Sequence, residues 1–226
     1  KEGFRFRWVN PWRDPTVRQV ARRMAPATIG VAAYQINVVI TQTLAYGVSD
    51  SAVASFNYAV RLMELPQGIV GISLATYLLT ELSALAAEKK MPEFRQVFRE
   101  GLLQVVFING LATVLLLTLA RPMIRLLFER GAFDQESTDR ATFALLSLAP
   151  GLVAFSVNNL IARAFYALGD TKTPMRISLF CLGFNLLLAH FLIPLFQQGG
   201  MGLANTLSAL MNSALLAFAL RKKLPK

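Results

Sequence analysis

The 226-residue sequence has little of what a disulfide scaffold, a zinc site or a soluble domain requires. It contains one cysteine, Cys181, and one histidine, His190, so an internal disulfide framework is excluded and zinc ligands at paired spacing are absent. Charged residues make up 16% of the chain, against about 25% in an ordinary soluble domain. The composition therefore argues against a soluble protein.

What the sequence has instead is a series of long runs with few or no charges. Each run approaches or exceeds the roughly 20 residues that a helix needs to cross a bilayer. We predict an all-α polytopic membrane bundle of about six transmembrane helices, preceded by a basic linker over 1–23 and interrupted by an amphipathic segment at the outer interface over 122–137. The predicted spans are 24–48, 51–85, 94–120, 138–168, 173–196 and 200–220.

The net charge of +10 describes membrane topology rather than nucleic-acid binding, because the basic residues alternate between loops. Seventeen Lys and Arg residues fall in the segments assigned to one side of the membrane and four in those assigned to the other. The positive-inside rule then places both termini in the cytoplasm. The basic ends should also favour anionic lipid headgroups, so membrane lipids are expected partners and nucleic acid is not.

The second span carries the most informative polar residues. Asn57, Arg61 and Glu64 recur at steps of three or four, and Gly68, Gly71 and Ala75 continue the same stripe. An arginine at the centre of a span costs about 2.5–3.5 kcal/mol on insertion scales, so something must offset it. One interpretation is an internal ion pair between Arg61 and Glu64. The other is contact between the Arg61 guanidinium and an anionic ligand in a cavity.

Two spans contain helix-disrupting residues in their interior. Pro66 lies within the second span, and Pro150 with Gly151 lies within the fourth. Proline removes a backbone donor and bends a helix. These sites are candidate hinges, and static kinks are the alternative interpretation.

Three motifs resemble those of a known family. They are Tyr58-Ala-Val-Arg-Leu-Met-Glu-Leu-Pro66 with Gly68 and Gly71, then Leu127-Phe-Glu-Arg-Gly-Ala-Phe133, and then Arg163-Ala-Phe-Tyr-Ala-Leu-Gly-Asp-Thr-Lys-Thr-Pro174. In this order they are similar to stretches of the MurJ (MviN) family of lipid II flippases, within the superfamily of multidrug, oligosaccharidyl-lipid and polysaccharide exporters. The resemblance covers essentially the whole chain.

The resemblance implies one lobe of a transporter with two six-helix lobes. The chain would be the linker and second lobe, and the first lobe of the same polypeptide would be its partner. The function implied is flipping of lipid II, an undecaprenyl-pyrophosphate-linked disaccharide-pentapeptide, across the bacterial plasma (inner) membrane by alternating access during cell-wall synthesis. No enzymatic chemistry and no cofactor are implied.

The resemblance also suggests roles for particular side chains. Arg61 matches a cavity arginine of the family, so Arg61, Glu64 and Asn57 become candidate substrate-binding residues. Arg163 lies nearer the cytoplasmic end, where it would either help admit the headgroup at the inner mouth or extend to lipid phosphate.

A coupling cation is a further implication of the resemblance. Some relatives resemble sodium-coupled carriers, and the corresponding spans here place Asn37, Asn185 and Thr206 at the candidate metal site. These spans contain no Asp or Glu, whereas hard cations prefer charged oxygen ligands, so interhelical hydrogen bonding is the competing role. The driving force is left open between Na⁺, H⁺ and the membrane potential.

Three other functions compete with lipid II flipping. The first is export of another lipid-linked oligosaccharide or polysaccharide by the same superfamily. The second is a membrane-embedded enzyme of lipid metabolism, which would need an Asp or His cluster that this sequence does not show. The third is a scaffold that binds lipid-linked precursors without moving them.

Overall fold

The computed structural model describes residues 15–47 and 50–224, with part of the side chains in the first helix. All regular structure in these residues is helical. The helices are α1 (Pro15–Tyr46), α2 (Asp50–Pro66), α3 (Ser73–Ala87), α4 (Met91–Phe128), α5 (Gln135–Leu148), α6 (Leu152–Ala167), α7 (Lys172–Phe196) and α8 (Gln198–Lys223). A π-helical segment, Gln67–Ile72, joins α2 to α3, and a 3-10 turn, Ala149–Gly151, joins α5 to α6.

Within the described ranges, five helical stretches are long and apolar enough to cross a membrane. They are Ser51–Ala87, Met91–Phe128, Gln135–Ala167, Lys172–Phe196 and Gln198–Lys223. The expected all-α membrane bundle is therefore confirmed. Helix α1 overlaps the first predicted span over 24–46 and begins at Pro15, so residues 15–23 of the predicted linker are helical. Residues 1–14 lie outside the described part of the chain.

The stretch that contains α5 and α6 forms the centre of the bundle. In its most apolar 18 residues 61% are buried, against 17–28% in the other four stretches. Two clusters of apolar side chains surround it, one near α5 with Leu145 and Leu152, the other near the end of α6 with Leu160 and Phe165. Residues 102–119 of α4 are largely exposed, as expected for a helix that faces lipid.

The predicted amphipathic segment over 122–137 does not form a helix of its own. Helix α4 continues through Pro122 to Phe128, and α5 starts at Gln135 with the Asp134 carboxylate accepting a hydrogen bond from the Ser137 N–H at 2.8 Å. The change to a polar sequence at Arg121 marks the end of the apolar span but not the end of the helix. Backbone hydrogen bonding continues past the point where the side chains change character.

Both candidate hinges coincide with departures from α-helical geometry. Pro66 is followed directly by the π-helical segment, because its missing N–H leaves one turn of the ladder unfilled and the helix accommodates an extra residue. Pro150 lies in the 3-10 turn, where the Thr206 hydroxyl of α8 donates to the Ser147 carbonyl at 2.9 Å. This bond satisfies a carbonyl near the break, as polar side chains do in broken membrane helices.

A cluster of hydrogen bonds closes the end of the bundle at the α6–α7 loop. Asp170 accepts from the Thr173 N–H at 3.0 Å, from the Thr173 hydroxyl at 2.8 Å and from the Lys223 ammonium at 2.6 Å. Burial alone would raise the pKa of Asp170, but these hydrogen bonds and the Lys223 charge outweigh it and lower the pKa to about 2. Asp170 thus binds the first turn of α7 and holds the last turn of α8 against that turn.

Candidate functional site

The predicted substrate-binding residues lie on an open face of α2. Asn57, Arg61 and Glu64 are all exposed, while Ala59, Leu62 and Met63 on the opposite face are buried in the bundle. The structure therefore brings the three polar side chains to one surface, as their spacing indicates. Their roles in binding stay predictions.

The Arg61 guanidinium has no ion-pair partner among the residues that the structure describes. None of the ion pairs or side-chain hydrogen bonds among the described residues includes Arg61 or Glu64, so the internal pair considered from the sequence is not formed. By contrast, two arginines near the loop 129–134 form ion pairs: Arg121 with Asp139 at 2.9 Å, and Arg140 with Glu136 at 2.9 Å. Arg61 therefore keeps its donors available for a ligand or a partner surface.

An aromatic cluster sets the position of α2 beside the 129–134 loop. The Tyr58 ring lies 4.9 Å from that of Phe128 and 4.8 Å from that of Phe133, measured between ring centroids. Such tilted and edge-to-face contacts favour a definite arrangement of the rings. Two of the three sequence motifs meet here, and the contact is one residue from Asn57 and three from Arg61.

The small residues that continue the stripe face a different surface from the polar ones. Gly71 and Ala75 are buried, and a Cβ added to Gly71 would lie 2.7 Å from the Ser156 hydroxyl oxygen of α6. The π-helical segment lies between the two halves and supplies one extra residue, which turns the later positions by about 100°. The stripe read from the sequence is therefore split into an open polar part and a packed apolar part.

Beside the open face a cavity of about 920 Å³ penetrates the lobe. Its wall comes mainly from α1, α2, the π-helical segment, α6, α7 and α8, with Leu148 at the end of α5 and Thr171 of the α6–α7 loop. Glu64 and Gly68 lie on this wall, whereas Arg61, one turn before Glu64, does not. The described wall contains seven Asn and Gln side chains but no Lys, Arg or His: Gln42, Gln67, Asn158, Asn159, Asn185, Asn205 and Asn212.

Some of these amides hold helices together. The Asn158 amide N–H donates to the Ala209 carbonyl at 3.1 Å, and the Ser213 hydroxyl donates to Asn158 Oδ1 at 2.8 Å, so α6 and α8 are tied twice. Asn205 donates to the Met201 carbonyl of its own helix at 2.9 Å. These bonds fit the structural role that polar side chains commonly have inside membrane bundles.

Arg163, the candidate for contact with the headgroup at the inner mouth, is not part of the cavity wall. It is half-buried on α6 near the α6–α7 loop, and it is not among the residues that line the cavity, although its neighbours Ala162 and Tyr166 are. Its proposed contact with a headgroup stays a prediction.

The structure does not bring the three candidates for a cation site together on the cavity wall. The side chain of Asn37 lies outside the described residues, Asn185 is buried on the cavity wall, and Thr206 is buried with its hydroxyl donating to the Ser147 carbonyl. Thr206 is not part of the cavity wall. Among the described residues there is no group of three or more His, Cys, Asp or Glu side chains that would hold a metal ion.

Of the cavity amides the sequence analysis singled out Asn185 alone, as a candidate metal ligand, and it did not predict the Asp170–Lys223 contact. Signals for both exist: Asn158 and Asn159 interrupt an otherwise apolar span, and Asp170 stands at the start of a helix beside the basic end of the chain. The signals show that the residues are unusual, but not which neighbours they meet.

Comparison with known proteins gives a family match over the whole chain. The family model for lipid II flippase MurJ matches residues 1–226. A protein of Vibrio cholerae named as a probable lipid II flippase MurJ is 32% identical over 91% of this chain and 39% of its own length. The lipid II flippase MurJ of Burkholderia cenocepacia is 32% identical over 93% of this chain and 41% of its own length. The chain spans about two fifths of these relatives.

Solved structures agree on the fold. A lipid II flippase MurJ in an inward closed conformation matches 90% of this chain and 43% of its own length with a TM-score of 0.81 at 23% identity. A transporter of the MOP superfamily from Pyrococcus furiosus matches 92% of this chain and 45% of its own length with a TM-score of 0.77 at 19% identity. An outward-facing multidrug MATE transporter of the same superfamily gives 0.72 at 19% identity over 90% of this chain and 45% of its own length.

Proposed function

Because the chain belongs to the lipid II flippase MurJ family, we propose that it forms one lobe of a protein that moves lipid II from the inner to the outer leaflet by alternating access. The family match over all 226 residues and the names of the relatives support the substrate. The lobe alone spans only about two fifths of those relatives, so the activity belongs to the full-length gene product.

One observation carries the proposal: Arg61 lies on an open face and has no ion-pair partner among the described residues. A planar guanidinium with several donors suits the oxygens of a pyrophosphate. Its exposure would be costly if α2 faced lipid, and it is favourable if the face borders an aqueous pathway. We therefore assign Arg61 to recognition of the pyrophosphate, with Asn57 and Glu64 beside it.

The partner of this face is the first lobe of the same polypeptide. Large apolar side chains lie beside the polar ones, with Leu65 58% exposed and Ile69 71% exposed. A face that mixes exposed apolar residues with a charged patch fits the boundary between two lobes around a polar cavity.

The proposed location is the bacterial plasma (inner) membrane, with the α3–α4 and α6–α7 loops in the cytoplasm. The positive-inside rule supports this orientation, since this side carries Lys89 and Lys90 of the α3–α4 loop, Lys172 at the start of α7 and the basic residues at the end of α8. Pro66 with the π-helical segment, and Pro150 with Gly151, are then proposed as the points where the lobe adjusts during alternating access.

A complementation experiment tests the proposal. In a bacterium depleted of its own lipid II flippase, the full-length gene product should restore growth, and Arg61→Ala should abolish rescue at normal expression. In purified protein the same change should weaken lipid II binding about 10- to 100-fold, as expected for loss of charge-assisted hydrogen bonds. Full rescue by Arg61→Ala would overturn the assignment.

Arg99→Ala is the matched control, because Arg99 is an exposed arginine on α4, outside this face. It should rescue growth normally. Transport of lipid II by the full-length gene product in liposomes, measured with a Na⁺ gradient, a proton gradient or a membrane potential alone, identifies the driving force of transport.

A second candidate is export of a different lipid-linked oligosaccharide. The fold match to other transporters of the MOP superfamily supports this second candidate. A transport assay in liposomes that compares lipid II with an O-antigen-type lipid separates the two. Binding of either lipid without translocation would indicate a scaffold instead.

A further inference from the structure

The arginines at the α4–α5 end of the lobe are mostly bound to acidic side chains. In the proposed orientation this end faces the outer leaflet. The ion pairs there are Arg121 with Asp139 at 2.9 Å, Arg125 with Glu129 at 3.4 Å, and Arg140 with Glu136 at 2.9 Å. Arg130, the other arginine of this end, donates to the Leu127 carbonyl. Arg61 on α2 is in none of the ion pairs that the described residues form, so its charge is free where most of those at the outer end are compensated.

Arg140 is the arginine of this end that is bonded to α2. Its Nη1 atom donates to the Ser51 hydroxyl at 2.6 Å, and Ser51 lies in the first turn of α2. Ser51, Tyr58 and Arg61 follow one another at steps of seven and three residues, so they share one side of the helix. At a rise of 1.5 Å per residue, Ser51 lies about 15 Å from Arg61 along the axis. Arg140 therefore stands at the outer end of the open face that carries Arg61.

The Arg140 guanidinium is held from two sides. Its Nη2 atom pairs with the carboxylate of Glu136, one turn earlier on α5, while its Nη1 atom is bonded to Ser51. The Arg140 side chain is 30% exposed and that of Glu136 is 73% exposed. A phosphate from the surface can therefore approach the guanidinium, and the Glu136 carboxylate is the group that it would have to displace. Without the charge of Glu136, Arg140 would stay fixed by Ser51 but uncompensated.

An uncompensated Arg140 would be a second position for the pyrophosphate. A guanidinium matches phosphate oxygens in charge and geometry, and a carboxylate partner occupies the same donors. The separation of about 15 Å from Arg61 exceeds the Debye length of about 8 Å at physiological salt, so the two arginines would act as separate sites. A transported ligand must be bound well enough to enter and weakly enough to leave. A free arginine at the outer end would hold the anion at the point where it has to be released.

We propose that Glu136 promotes release of the transported lipid: its carboxylate occupies the Arg140 guanidinium, so that a pyrophosphate leaving Arg61 is not retained at the outer end of α2. The inference rests on the proposed function and orientation, and it adds the exit step to them. Glu136 acts through Arg140 and not on the lipid itself, so it is a positioning residue. Its removal is expected to strengthen binding and slow transport, the opposite of a lost substrate contact.

Glu136→Gln tests the proposal in the full-length gene product, because it removes the charge and keeps an oxygen that can accept from Arg140. In nanodiscs, lipid II should dissociate about three- to tenfold more slowly from the variant, as expected for one added charge-assisted hydrogen bond. Undecaprenyl pyrophosphate, which has neither sugars nor peptide, should show the same change, since the pyrophosphate is the group retained. Lipid II transport in liposomes should slow, and the longer retention should shrink at high salt.

Asp139→Asn is the matched control, because it frees Arg121, whose ion pair joins α4 to α5 and does not involve α2. It should leave the dissociation rate unchanged. The double variant of Glu136→Gln with Arg140→Gln should return the rate to about the wild-type value. Unchanged or faster dissociation from Glu136→Gln would overturn the proposal, as would equal slowing by Asp139→Asn or slow dissociation from the double variant. If Glu136→Gln lowers the melting temperature, Glu136→Ala must give the same slowing.

Failure of the proposed function gives a different result. In that case the wild-type protein would not prefer lipid II over phosphatidylglycerol, and Arg61→Ala would have no effect on binding of either lipid. If the wild type prefers lipid II and Arg61→Ala weakens its binding, but Glu136→Gln leaves its dissociation unchanged, only the role of Glu136 in release fails.

Discussion

The contact between Asp170 and Lys223 gives a prediction whose size can be worked out from the structure. Asp170 joins the start of α7 to the end of α8, and Asp170→Asn removes the carboxylate charge while keeping an oxygen that accepts from the Thr173 N–H. The change therefore removes, together with the charge, the oxygen that accepts from the Lys223 ammonium and the Thr173 hydroxyl. We expect the lobe to unfold more easily, and the α6–α7 loop to lose its hold on α8.

The expected loss follows from the pKa of Asp170. A decrease from 3.8 to about 2 corresponds to roughly 2 kcal/mol of stabilisation in the ionised state. The Lys223 side chain is 38% exposed, against 18% for Asp170, so solvent screening reduces the amount that the contact delivers. We expect Asp170→Asn to lower the free energy of unfolding by about 1–1.5 kcal/mol at neutral pH.

The pH dependence has a definite sign. Because the pKa is lowered in the folded state, the stabilisation from Asp170 is present above the ordinary pKa of 3.8 and is lost as the pH falls from there through about 2. Chemical unfolding in detergent at neutral pH and between pH 4 and 2 measures it. The difference between wild type and Asp170→Asn should shrink across that window.

A difference that stays constant from pH 7 to pH 2 would refute the ionic explanation, and so would a variant as stable as wild type at neutral pH. Asp139→Asn is the control, because Asp139 and Arg121 pair on the surface with side chains 53% and 56% exposed. It should cost less than about 0.5 kcal/mol. In the double variant with Lys223→Met, the effect of Asp170→Asn should largely vanish.

The remaining predictions concern contacts between helices, and unfolding in detergent measures both. Gly71→Ala should destabilise the lobe by about 1–3 kcal/mol, because the new Cβ would lie 2.7 Å from the Ser156 hydroxyl oxygen, and Ser156→Ala should recover part of the loss. Thr206→Val should cost about 0.5–1.5 kcal/mol, because the Ser147 carbonyl loses a donor at 2.9 Å while the shape of the side chain is kept.

Each of these changes has a matched control on α4. Gly110 has no neighbouring atom within 4 Å of an added Cβ, so Gly110→Ala should be neutral or slightly stabilising. Thr118 donates to the Val114 carbonyl of its own helix at 2.8 Å and is exposed, so Thr118→Val should change little. If either control matches its partner variant in cost, the helix contacts at Gly71 or Thr206 do not explain the effect.

Hydropathy and periodicity predicted the parts of this structure that depend on one helix at a time. The long apolar runs correspond to helices, and the spacing of Asn57, Arg61 and Glu64 places them on one face of α2. Both properties follow from the rise and rotation of a single helix, so neighbouring helices need not be known.

Features that depend on contacts between helices could not be predicted from the same patterns. Pairing of Arg61 with Glu64 was a reasonable interpretation at a spacing of three residues, but spacing does not determine rotamers or solvent access. The cavity arises from five spans that approach one another without filling the space between them. The continuation of α4 to Phe128 was missed because a helix ends where its hydrogen bonds end, not where its apolar residues do.

The π-helical segment at Gln67–Ile72 also means that one helical wheel cannot represent α2 and α3 together. A helical wheel plotted with one period from Asp50 to Ala87 misplaces every residue after the segment by about 100°. Two wheels, one ending at Pro66 and one starting at Ser73, describe the helix correctly. Substitutions designed on one half therefore cannot be transferred to the other by counting turns.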